Sequence, residues 1–80
     1  MAIRKCVVDR LRELCNERGL SMNGLANLCG MPPTTIKNIF SGESQNPGIV
    51  TLKMICDGLG ISITDFFDTE EFRNLEQEIY

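Results

Sequence analysis

Thr34, Lys37, Asn38 and Ser41 recur at spacings of three, one and three. At about 100° per residue these four fall within one helical arc about 100° wide, and Ile36, Ile39 and Phe40 fall within the opposite one. The polar arc offers two hydroxyls, a carboxamide and an ammonium, with no carboxylate. Hydroxyls and carboxamides hydrogen-bond base edges and phosphates, and an ammonium adds attraction to phosphate, whereas a carboxylate would be repelled. Every amphipathic surface helix has a polar face, however, so this arc gains meaning only from the elements that hold it.

Other residue types point to less chemistry. Cys6, Cys15, Cys29 and Cys56 stand singly among aliphatic neighbours, without a closely spaced pair, and the chain has no histidine. Zinc ligands come in close Cys/His pairs, so reduced thiols are expected, with no metal and no cofactor. With no histidine, no phosphate-cradling glycine loop and no carboxylate pair in a pocket, an enzyme is not expected. Asp65, Asp68, Glu70 and Glu71 lack calcium-loop spacing and read as helix caps or solvated surface.

The positioning elements are short helices. Ile3, Val7, Val8, Leu11, Leu14 and Cys15 repeat at helical spacing, which predicts a first helix over about 3–18 stopped by Gly19, with Arg10 among its solvent-side residues. Ser21 is an N-cap for a second helix with Leu25, Ala26 and Leu28 as its apolar positions, closed by Gly30. Pro32 and Pro33 suit the first turn of a third helix over about 33–41, ended by Gly42. Turn residues fill 42–48, and Ile49, Leu52, Ile55, Cys56 and Leu59 then mark a fourth helix ended by Gly58 or Gly60. Ser62 with Asp65 has capping-box spacing ahead of Ile63, Phe66 and Phe67, and Thr69 caps a last segment with a Phe72, Leu75 and Ile79 stripe. The fold class is all-α, in one compact domain.

Eighty residues with 42% hydrophobic content suit one small domain. No apolar run approaches the ~20 residues of a membrane span, and the first residues lack a signal peptide's apolar stretch, so a cytoplasmic protein is expected. The formal charge of −3 is unevenly spread: residues 65–80 carry −5 and residues 1–64 carry +2. Anion binding by the body is compatible with this, with little long-range electrostatic help. No second domain offers itself to hold a small-molecule effector.

A capped short helix, a glycine turn and a second helix within about 21 residues is the helix-turn-helix layout, whose second helix enters a major groove. Residues 21–42, from Ser21 through Leu25-Ala26, Gly30, Ile36 and Ile39 to Gly42, resemble the Cro/C1-type (XRE-like) helix-turn-helix. Asn46-Pro47, Thr51-Leu52, Leu59-Gly60-Ile61-Ser62 and Asp65-Phe66-Phe67 resemble the same family's fourth and fifth helices, so the likeness spans about residues 5–68. It implies a compact five-helix lambda-repressor-like DNA-binding domain over residues 1–68 and leaves 69–80 as a short, acidic, helical C-terminal extension. It also implies double-stranded DNA as partner and a transcriptional regulator, by expectation a repressor, of bacterial, phage or mobile-element origin.

Carried over by position, the base-reading role falls on Pro33, Thr34, Lys37 and Asn38, and phosphate contact falls near Met22, Asn23, Ser41, Ser44 and Gln45. Backbone N–H groups at the helix starts near Ser21 and Gly48 join the phosphate set. Relatives often have glutamine at Met22 and a polar reader at Pro33, and many have an Arg and a Glu where Cys15 and Phe40 stand. One such unit reads only a few base pairs, so a homodimer is expected. Phe72, Leu75, Ile79 and Tyr80 are its candidate surface, unless that stripe folds back on its own core. A second reading is a protein-interaction module that kept the fold but binds DNA weakly or not at all, in keeping with the acidic total, Met22 and Pro33.

Overall fold

The computed structural model describes residues 2–41 and 46–75 and contains, among these, six helices and no strand. They are α1 (Ala2–Arg18), α2 (Met22–Cys29), α3 (Pro33–Ser41), α4 (Ile49–Leu59), α5 (Ile63–Phe67) and α6 (Glu70–Arg73). The first five make the expected all-α bundle, and α6 is a single turn laid against α1.

Local chemistry sets the helix ends. The Ser21 and Ser62 hydroxyls accept from the N–H groups of Gly24 and Asp65, at 3.0 and 2.9 Å. Gly30 takes φ +68°, a conformation strained for any residue with a Cβ, and lets the Met31 N–H reach back to the Ala26 carbonyl at 3.0 Å. Gly19 and Gly60 end α1 and α4 in the same conformation, while Gly58 lies inside α4.

The core unites Val7, Val8, Leu11, Leu14 and Cys15 of α1 with Leu25, Ala26, Ile36, Ile39, Leu52, Ile55, Cys56, Leu59 and Phe66. Three residues expected among the apolar positions are not inside: Ile3 is 42% exposed, Leu28 50% and Ile49 62%. Ile3 and Ile49 occupy the opening turns of α1 and α4, which run past the core. At the end of α2, Cys29 faces α4 in place of Leu28, because Gly58 leaves room there; a Cβ on Gly58 would sit 2.7 Å from the Cys29 sulfur and 3.1 Å from its Cα. Met31, inside the turn, is buried although no periodicity marks it.

Arg10 also departs from expectation. Its side chain is only 15% exposed, and its guanidinium donates to the carbonyls of Phe66 (2.8 Å) and Asp65 (2.9 Å) while pairing with Glu13. Those carbonyls belong to the end of α5, where an unpaired oxygen and the helix dipole both favour a cation. Arg18 makes a longer contact to the Leu59 carbonyl at the end of α4, at 3.4 Å.

At the C-terminal end, the Thr69 hydroxyl accepts from the Phe72 N–H (3.4 Å), and the Phe72 ring meets Phe67 edge-on at 4.8 Å between centroids. Phe66 completes this aromatic cluster, 6.3 Å from Phe72. The last helix is shorter than its apolar stripe suggests: it stops at Arg73, and Leu75 lies beyond it. A single turn without a fully buried residue has nothing to propagate it, since short helices depend on tertiary burial. Ile79 and Tyr80 lie outside the described residues.

All four cysteines are free thiols: Cys15 and Cys56 are buried, and Cys6 and Cys29 half-buried. Burial pushes the thiols of Cys15, Cys29 and Cys56 upward, which keeps them protonated and unreactive. Among the described residues no group of Cys, Asp or Glu is arranged to hold a metal ion, and no helix is long and apolar enough to cross a membrane.

Candidate nucleic-acid interface

The α2–α3 unit is clamped from one side. Leu25 and Ala26 of α2, Met31 of the turn, and Ile36 and Ile39 of α3 are all in the core. Pro33 occupies the first position of α3, where its missing N–H removes no helical bond, and the Thr35 N–H closes the first turn on the Pro32 carbonyl at 3.0 Å. With Ile36 and Ile39 pinned inward and Phe40 half-buried beside them, the opposite face of α3 is displayed.

That face carries Pro33, Thr34, Lys37 and Ser41, all exposed, with Asn38 half-buried at its edge. Lys37 is the one charged residue between Ser21 and Ser41, and none of the ion pairs found among the described residues includes it. The Ser41 hydroxyl donates to the Asn38 carbonyl at 3.3 Å. Asn38 opens onto a groove of about 160 Å³ shared with Thr35, Ile39, Pro47, Gly48 and Thr51. The groove thus sets a carboxamide and two hydroxyls beside the first turn of α4. Thr51 is the member that the sequence conceals, because only the return of the chain through Pro47 brings α4 beside α3. Thr35 is half-buried, as its place on the flank of the helical wheel predicts.

Phosphate-type donors sit at two helix starts. Gly48 begins α4 at an exposed end and has no side chain with which to bond the first-turn N–H groups, the donor type that a phosphate takes at a helix start. At the start of α2, Ser21, Met22 and Asn23 are all exposed, and Met22 presents 43% of its surface. The Ser21 oxygen is engaged as a cap, but its hydroxyl hydrogen can still be donated. Ser44 and Gln45 lie outside the described residues. Phe40 is half-buried with the Arg12 guanidinium 5.5 Å above its ring, a cation–π contact between α1 and α3. Of the candidate self-association residues, Phe72 packs on Phe66 and Phe67 of its own chain and Leu75 is half-buried.

The Helix-turn-helix family model matches residues 11–66, which span α2 and α3 and most of the core. Among solved structures, the chain is similar to one described as the crystal structure of the prophage Lp1 protein 11, with TM-score 0.78 and 35% identity over 90% of this chain and 95% of that one. No curated protein matches. Since the matched stretch takes in more than half the chain and coincides with the clamped helix pair, the chain belongs to the Cro/C1-type (XRE-like) helix-turn-helix family of DNA-binding transcription regulators.

Proposed function

We propose that the chain binds duplex DNA sequence-specifically as a small transcriptional repressor, with α3 in the major groove. The observation that carries this reading is the exposed, carboxylate-free face of α3 beside the exposed starts of α2 and α4. In this account Asn38 pairs with adenine N6 and N7, Lys37 meets guanine or a phosphate, and the Thr34 methyl meets thymine. Pro33 contributes shape only. Ser21, Met22, Asn23 and Ser41, with the α4 start, follow the phosphate backbone, in company with Ser44 and Gln45.

Residues 1–68 form the DNA-binding domain in this reading, and 69–80 an acidic extension turned away from the duplex. Two copies are needed to read a full site, and the C-terminal stretch is the proposed contact, with Leu75, Ile79 and Tyr80 meeting a second copy and Phe72 supporting them from the monomer's own core. The protein works in the cytoplasm, and its likeness to a prophage protein supports a phage or mobile-element origin.

Selection of bound duplexes from a random pool tests this. The expected result is a palindromic consensus whose affinity falls with salt at a log–log slope of about −3 to −5, because few cations face the duplex. Failure to retard any duplex in a low-salt gel shift would favour the protein-interaction module.

A further inference from the structure

A second groove of about 330 Å³, which shares Pro47 with the Asn38 groove, opens between the start of α1 and the chain entering α4. Ile3, Val7, Pro47, Leu52 and Phe67 make its walls apolar. Arg4 also lines it, and is its one charged member among the described residues. No ion pair found among those residues includes Arg4, and its Nε is buried without a hydrogen-bond partner. A guanidinium in apolar surroundings is satisfied best by a carboxylate, which accepts two parallel N–H bonds.

We propose that this groove is a binding site for a small apolar carboxylate, whose head meets Arg4 and whose hydrocarbon body lies against Val7, Leu52 and Phe67. Size supports a small molecule over a protein segment. At the roughly 30 Å³ that a water occupies in the liquid, the groove holds about ten non-hydrogen atoms. Asn46 adds a carboxamide to the lining, and a mostly apolar wall with a few placed polar groups is the usual make-up of a ligand pocket.

Octanoate, kept below its aggregation concentration, is the probe. Amide NMR shifts of the full chain should saturate and cluster around Val7, Leu52 and Phe67. Octan-1-ol should bind at least about tenfold more weakly, octylamine should not bind, and Arg4→Met should weaken octanoate at least about tenfold while circular dichroism stays unchanged. If Arg4→Met fails to fold, the octanoate-to-octanol ratio on the wild type decides alone. Absence of saturable binding, or equal affinity for octanoate and octanol, overturns the proposal. So does octanoate binding that appears only once Glu76→Gln and Glu78→Gln are introduced together, since the chain's own carboxylates would then be the occupant.

Discussion

The α2–α3 unit and the α5–α6 end use the same starting device, a short helix capped by a hydroxyl, and come to different ends. α2 is eight residues long and α6 four, yet Ser21 and Thr69 cap them in the same way. What separates them is burial. α2 and α3 together place Leu25, Ala26, Ile36 and Ile39 in the core, whereas α6 buries no residue fully and leans on the Phe72 ring against Phe66 and Phe67. Charge follows the same division: one lysine and no acid from Ser21 to Ser41, against Asp65, Asp68, Glu70 and Glu71 around Arg73. Capping starts a helix; only an apolar face that finds a partner extends it and makes it a rigid platform.

Substitutions should grade accordingly. Ile36→Ala removes a fully buried side chain of the platform and should lower stability by about 2–5 kcal/mol in denaturant titration. A loss under 1 kcal/mol would mean that α3 is not clamped. Gly58→Ala drives a methyl against Cys29 and the Leu28 carbonyl and should cost about 1–3 kcal/mol, without changing the DNA face. Phe72→Ala should cost only about 1–2 kcal/mol, because the ring is half-buried. A larger effect there than at Ile36 would reverse the comparison.

The smallest effect is expected from pH. Burial raises the Cys15, Cys29 and Cys56 thiols above their ordinary 9.0, so the unfolded chain ionises first as pH rises. Their contribution is complete below the ordinary value and is lost as pH climbs through the raised ones. The melting temperature should therefore fall on the alkaline side more steeply for the wild type than for Cys29→Ala; parallel curves would contradict this.

The helix order and the clamp were legible in the sequence because periodicity and caps agree residue by residue: Ser21, Gly30, Ile36 and Ile39 all stand where local signals put them. What escaped was tertiary. Arg10 lies on the polar side of α1 by spacing alone, yet the end of α5 lands on it and accepts from its Nε and Nη2. Ile49 and Leu28 carry apolar side chains at helical spacing, but the core does not reach them. The face of α3 was readable from Thr34, Lys37 and Asn38; the groove that Thr51 adds was not, since it depends on where α4 returns. The extent of α6 was overstated because Phe72 and Leu75 keep helical spacing without a shared surface to bury against.

The most direct test is a titration of the wild type and Asn38→Ala on a selected duplex and on a random one. With Asn38 reading a base from the displayed face of α3, the variant should lose about 1–3 kcal/mol on the selected duplex and almost nothing on the random one. Equal loss on both, or none on either, would contradict the account.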